Sequence, residues 1–221
     1  MKLTSYGAAL EVTGSQHLLE VNGKKILLDC GLFQGKRKIA FEKNANFGFD
    51  PKKIDAVLVS HAHIDHTGNL PTLVKKGFKG VIYSTEATKS LCEVMLMDSA
   101  YIQESDAEYF ARKHADTALL PIEPLYTQAD AELALKQFKG IPYDKPFTLF
   151  DKITVTFREA GHVLGSALTV IEVKEEGEIK RLVYTGDLGR SRVPILKDPY
   201  QLKQADFLLT ESTYGNRTHP P

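Results

Sequence analysis

The segment Ser60-His61-Ala62-His63-Ile64-Asp65-His66-Thr67 sets three imidazoles and a carboxylate within six consecutive positions. Packing and solubility alone do not call for that density of ligand atoms. If the chain is still extended where the segment begins, His61 and His63 project to one side, because strand side chains alternate with period two. One metal ion can take both. Asp65 and His66 lie one step further round the bend, point elsewhere, and can begin the shell of a second ion. Nitrogen and oxygen donors together suit zinc, with iron or manganese left open, since affinity alone does not select the metal. A His-rich surface turn or a mononuclear structural site is the plainer alternative. Structural zinc, however, favours closed Cys/His sets, and no thiol lies in this segment.

The apolar run Asp55-Ala56-Val57-Leu58-Val59 leads into the cluster and reads as a buried strand, while Gly68 to Lys76 has the makings of a helix. The ligands therefore sit on a strand-to-helix turn. Upstream, Leu3 to Tyr6, His17 to Val21 and Lys25 to Leu28 read as short strands. Asn22-Gly23 between the last two predicts a tight hairpin. His17, inside a strand pattern, is read as a packed or surface imidazole and not as a ligand. Gln34-Gly35-Lys36-Arg37-Lys38 is a small basic run read as a solvated loop or helix end, although it could touch phosphate. Val81 to Tyr83 is a further strand. Thr85 to Lys113, free of Pro and Gly, predicts either two helices or one bent one, with His114 a helix-terminus residue. Thr127 to Phe138 reads as a helix capped by Thr127 and stopped by Gly140.

From Phe147 the pattern returns to strand: 147–150, 153–157, 167–173, 179–184 and 207–210. Several strand ends carry a group fit for metal work: Asp29 after Leu28, His61 after Val59, His162 after Phe157, Asp187 after Tyr184 and Glu211 after Leu209. Their recurrence at strand ends places them together at one edge of a sheet scaffold. His61, His63 and His162 would give one ion three imidazoles and an open position, as catalytic sites require. Asp65 and His66 would start the second shell, with Asp187 bridging and Asp29 orienting a ligand from behind. Water shared by two such ions becomes a hydroxide nucleophile near neutral pH.

The bulk properties fit a globular protein. The chain has 221 residues, 43% apolar and 25% charged, enough for one sizeable domain. Lys+Arg and Asp+Glu are 28 each, so net charge argues for no polyanionic partner and any such binding must be local. Cys30 and Cys92, with no secretory pattern at the start, lead to the expectation of reduced thiols in a cytoplasmic protein. No apolar run reaches membrane-spanning length.

The motifs together resemble a known family. His61 to His66, Gly-His162-Val-Leu-Gly-Ser-Ala, Thr-Gly-Asp187-Leu-Gly-Arg and the strand-end Asp29 are similar, in order, to the motifs of the metallo-β-lactamase fold. Thr210-Glu211-Ser-Thr-Tyr-Gly-Asn-Arg-Thr-His219 and the opening Gly7-Ala-Ala-Leu-Glu-Val-Thr-Gly-Ser15 resemble the β-CASP branch of RNA-processing nucleases. The resemblance implies an αββα sandwich, mixed α and β, incomplete at its carboxyl end. It also implies a zinc-dependent ribonuclease with two ions in the complete enzyme, ligands His61, His63, Asp65, His66, His162 and Asp187, and catalytic roles for Asp29, Asp65, Asp187 and Glu211. RNA is the expected substrate and DNA a possible one. In complete β-CASP proteins a cap domain follows the Glu211 motif, and two further histidines come after it. Residues 1–221 are thus expected to be the amino-terminal metallo-β-lactamase-like part of a longer enzyme, with His219 at the entry to the cap. Thioester or other ester hydrolysis on the same core is the alternative chemistry, and an inactive interaction subunit the alternative without chemistry.

Overall fold

The computed structural model describes residues 1–113, 123–175 and 177–218; His114 and His219 lie outside them. Among the described residues eleven strands form two sheets. The first contains β1 (Lys2–Gly7), β2 (Gln16–Val21), β3 (Lys24–Leu28), β4 (Ala56–Leu58), β5 (Val81–Thr85) and β6 (Phe138–Ile141), side by side in that order. The second, in the order β11-β10-β9-β8-β7, contains β7 (Phe147–Phe150), β8 (Ile153–Glu159), β9 (Ala167–Glu175), β10 (Glu178–Tyr184) and β11 (Phe207–Leu209).

The hairpin between β2 and β3 turns at Asn22 and Gly23, both with positive φ (49° and 73°), the two-residue turn whose twist matches its strands. From β3 onward the first sheet is parallel, and parallel neighbours need crossovers. These are supplied by α1 (Arg37–Ala45), α2 (Ile64–Thr67) with α3 (Leu70–Lys75), and α4 (Glu86–Lys113) with α5 (Gln128–Leu135).

Alternation along the central strands divides the core in two. Leu27, Val57 and Ile82 pack with Leu70, Leu73, Cys92, Leu96 and Ala131 under the helices. Ile26, Leu28, Ala56 and Leu58 pack with Val155, Phe157, Ile171, Val173 and Leu182 between the sheets. Burial on both faces is why these strands read as continuous apolar runs. Among the described residues the helices pack against the first sheet, and the apolar cluster between the sheets contains no helical residue. No helix among the described residues is long and apolar enough to cross a membrane.

The structure sharpens several local expectations and corrects the extent of one helix. The basic run Gln34 to Lys38, read as a solvated loop or helix end, leads into α1 (Arg37–Ala45), a helix with no capping side chain and no acid in its first turn, so no sequence signal marked its start. The stretch read as two helices or one bent one is a single 28-residue helix, α4 (Glu86–Lys113). The capping box of Thr127 with Asp130 begins α5 as expected. The helix, however, ends at Leu135, and Gly140 lies inside β6, an edge strand paired in parallel with β5. The helix expected over Gly68 to Lys76 is α3 (Leu70–Lys75), and a separate short helix, α2 (Ile64–Thr67), precedes it, so Asp65 and His66 are already helical.

Candidate metal centre

The His-rich turn leaves β4 and is clamped by the segment that leaves β3. The Cys30 amide donates to the His66 carbonyl (2.8 Å), Leu32 to Ile64 (3.0 Å) and Ser15 to Asp65 (2.9 Å). Gly31 permits this approach: a Cβ there would run into the Asp65 carbonyl. The second sheet is tied to the same point by the Ala167 amide donating to the Ser60 carbonyl (2.8 Å). His162 is held by Ser166, whose Oγ accepts from the amides of His162 (3.0 Å) and Val163 (3.2 Å). Gly186, at φ 54°, lets the loop bearing Asp187 pass against Ser60.

These loops bring the predicted groups together. Donor atoms of His61, His63, His162 and Asp187 all lie within 4.8 Å of one another. His61 Nε2 and His162 Nε2 stand 3.1 and 3.3 Å from His63 Nδ1, and 3.7 and 3.5 Å from Asp187 Oδ2. The other oxygen, Oδ1, lies 3.1 Å from His66 Nε2, which is 3.8 Å from Asp65 Oδ2. One carboxylate therefore faces both groups of ligand atoms.

Tautomers follow from the hydrogen bonds behind the ligands. Asp29, fully buried with φ 58°, accepts from the Ser60 amide at Oδ1 (2.7 Å). Its Oδ2 accepts from Ser60 Oγ (2.7 Å) and from His66 Nδ1 (2.7 Å). Ser60 Oγ, having given its proton to Asp29, accepts from His61 Nδ1 at 3.0 Å. Both histidines thus carry hydrogen on Nδ1 and turn Nε2 toward the cluster. Sequence reasoning placed Asp29 behind the ligands and also gave it a catalytic role. The geometry puts its carboxylate out of reach of the cleft, acting through His66 and Ser60. Ser60 itself was not anticipated, although it directly precedes His61.

The electrostatics suit a cation. Burial, with His66 nearby, lowers His61 to about 3, leaving it a neutral donor. For Asp187 burial acts upward, but hydrogen bonding and charge from His66, followed by His61 and His162, bring it to about 2. Burial opposes a proton on His66 too, yet hydrogen bonds to Asp187 and Asp29 lift it to about 10. Imidazole and carboxylate donors, with ring tautomers fixed from behind, fit a divalent metal.

The cluster opens on a cleft of about 1030 Å³ lined by Asp65, His162, Asp187, Arg190, Glu211 and Tyr214, among others. Glu211 Oε1 accepts from the Leu188 amide (2.9 Å), joining the end of β11 to the Asp187 loop. Arg190 and Tyr214 lie within the Asp187 and Glu211 motifs, a proximity that could have marked them as cleft residues. His17 is buried and bonded to Ser5 and Ser15, as a packed imidazole should be.

A layered sandwich of two sheets with a His/Asp cluster at the edge where their loops meet defines a metallohydrolase architecture. The family model described as the metallo-beta-lactamase superfamily matches residues 11–218, and the chain belongs to that superfamily. A ribonuclease of Thermus thermophilus is 41% identical over the whole chain, which spans 46% of that relative. Cleavage and polyadenylation specificity factor 73 of Drosophila melanogaster is 34% identical over 99% of the chain and 29% of its own length. A transcription termination factor of Methanocaldococcus jannaschii is 29% identical, with 97% of the chain and 32% of the relative covered. The chain thus spans less than half the length of these curated relatives. Among solved structures, a metallo-beta-lactamase HARLDQ-motif mutant of Cronobacter sakazakii superposes with a TM-score of 0.52 at 17% identity, covering 93% of this chain and 73% of that one. The mixed α/β fold of two packed sheets expected from the motifs is the fold observed, and among the described residues helices cover the first sheet.

Proposed function

We propose that the chain carries the metal-binding core of a zinc-dependent ribonuclease of the β-CASP type, hydrolysing phosphodiester bonds in RNA. The observation that carries the reading is Asp187, whose two oxygens face two different ligand groups. His61 Nε2, His63 Nδ1, His162 Nε2 and Asp187 Oδ2 would hold one zinc ion, and His66 Nε2, Asp65 and Asp187 Oδ1 the other. When bound, the ions supply Lewis acidity, which brings the pKa of a water near neutrality and neutralises phosphoryl oxygens. The chain's own groups do the rest. Asp65, in the cleft, accepts a proton from the attacking water, and Glu211 stands ready for proton transfer beside His162. Arg190, exposed on the cleft wall, offers its guanidinium to a substrate phosphate. The ribonuclease among the relatives favours RNA over a thioester, and DNA remains open to the same chemistry. Cys30 and Cys92, both buried and unpaired, suit a reducing cytoplasmic setting.

The test is cleavage of labelled RNA and DNA oligonucleotides by the zinc-loaded chain, alone and joined to the carboxyl-terminal remainder of the Thermus thermophilus relative. RNA cleavage that stops with EDTA and returns with zinc is the expected result. Zinc-loaded protein that leaves RNA intact in both forms yet hydrolyses a thioester would overturn the reading.

A further inference from the structure

Behind the candidate centre a line of polar side chains crosses the buried space from β10 to β1. Tyr184 OH lies 2.6 Å from Asp29 Oδ2, Ser15 Oγ 2.9 Å from Tyr184 OH, His17 Nε2 3.3 Å from Ser15 Oγ, and Ser5 Oγ 2.8 Å from His17 Nδ1. Tyr184, Ser15 and His17 are all buried and Ser5 is exposed. Proteins do not leave three buried polar groups in line without a return, because each must be matched to avoid a desolvation cost.

The direction of the line follows from its end. An ionised carboxylate only accepts, so Tyr184 must donate to Asp29. Its oxygen then accepts from Ser15, Ser15 accepts from the Nε2–H of His17, and His17 Nδ1 accepts from Ser5. Every proton points toward Asp29. Burial lowers the pKa of His17, which keeps it neutral as this pattern requires. Burial and the Asp29 charge raise that of Tyr184, so its hydroxyl stays protonated. Aligned donors of this kind reinforce one another in a low-dielectric interior.

Asp29 Oδ2 accordingly takes three donors, from Tyr184, Ser60 and His66. Two of them belong to the ligand-bearing turn and move with it. Tyr184 comes from the other sheet and ends three residues before Asp187, so it references the carboxylate to the strand that carries the facing ligand.

We propose that Tyr184, aligned by Ser15 and His17, is a positioning residue. It fixes Asp29 and through it the ring of His66, setting how tightly the ion at His66, Asp65 and Asp187 is held while leaving the three-histidine set of His61, His63 and His162 largely untouched. The inference depends on the metal reading above. Its first readout does not.

The experiment compares the wild-type chain with Tyr184→Phe, which keeps the ring and removes the donor, and with Ser15→Ala, which removes the donor to Tyr184. In metal-free protein, the His66 Nδ1 proton is observed by nitrogen-edited NMR. It should be protected from exchange in the wild type, and should exchange faster and shift upfield in Tyr184→Phe, with a smaller change in Ser15→Ala. Titration with zinc or cobalt(II) alone should then show the ion at His66 weakened about ten- to a hundred-fold in Tyr184→Phe, the range typical of outer-shell partners. The three-histidine ion should change by less than about threefold by the same reasoning. A His66 proton signal identical in all three proteins would overturn the proposal, whatever metal or substrate the chain takes. Equal weakening of both ions would overturn it as well, since that reports general loosening. If the wild type binds no zinc, the metal reading fails while the NMR comparison still decides the Tyr184–Asp29–His66 link.

Discussion

His66 Nε2 and Asp187 Oδ1 stand 3.1 Å apart, although the turn bearing the one and the loop bearing the other leave different sheets. Oδ2 of the same carboxylate is turned toward His61 and His162, so a single side chain addresses both ligand groups. Asp187→Asn keeps the shape and removes the charge. The expected outcome is loss of both ions, each weakened by more than the roughly ten- to hundred-fold typical of an outer-shell partner. Zinc per chain after dialysis in chelator-free buffer should be two for the wild type and below one for the variant. Two ions retained in Asp187→Asn would remove the carboxylate from both shells.

The pH dependence of the metal-free chain should be peaked. His61 is held at about 3, below its unfolded value near 6.5, so the folded state binds fewer protons there. Its contribution is therefore complete above about pH 6.5 and declines as pH falls from there toward 3. His66 is held at about 10. The raised value reverses the sign: its contribution is complete below about pH 6.5 and declines as pH rises toward 10. The melting temperature without metal should thus be highest near pH 6.5 and fall on both sides. Zinc must displace the proton on His66 Nε2, so uptake at that position should release about one proton near pH 7.5. Calorimetry in buffers of different ionisation enthalpy reads that number, and a value near zero would place the ion elsewhere.

Gly31→Ala tests the clamp on the ligand turn. The added Cβ meets the Asp65 carbonyl, which is backbone and cannot rotate away. We expect a loss of about 1–3 kcal/mol in chemical denaturation, as for overpacked interiors, together with weaker zinc binding. Thr127→Ala serves as the contrast. It removes the capping box of α5 at a cost of about 1 kcal/mol, far along the chain from the ligand turn, and zinc uptake should be unchanged. Equal zinc affinity in Gly31→Ala and wild type would show that the approach of the two segments does not hold the ligands.

How much of this was legible in the sequence depended on whether the controlling interaction was local. Asn22-Gly23 fixes its hairpin through backbone preferences of two residues, and Thr127 announces α5 through a bond to Asp130, so both could be read. The ligand groups were legible because His61 to His66 are consecutive and the others end apolar runs. The start of α1 was not, because it lacks a cap and the helix has only Asn44 buried. Nor was β6, whose pairing with β5 joins residues more than fifty apart across a long crossover. The Tyr184–Asp29 bond spans 155 positions. Tyr184 sits in an apolar strand end whose pattern states that it is buried, and no single-sequence pattern states what its hydroxyl meets.

Glu211 separates two roles that its place in the cleft allows. Its Oε1 accepts from the Leu188 amide at 2.9 Å, one residue beyond Asp187, so it braces the ligand loop. It also carries negative charge that acts on His162. Glu211→Gln retains an acceptor oxygen for Leu188 and removes both the charge and the capacity to exchange a proton. Glu211→Ala removes everything. If the carboxylate takes part in proton transfer, Glu211→Gln should keep its zinc and lose about 10²–10⁴-fold in phosphodiester turnover, the usual range for a general acid or base. Glu211→Ala should lose that activity and bind zinc less tightly as well, because the Leu188 amide is released. A Gln variant that cleaves RNA at the wild-type rate would leave Glu211 as a brace alone. Proton transfer would then have to be assigned to Asp65 or to a group outside the described residues.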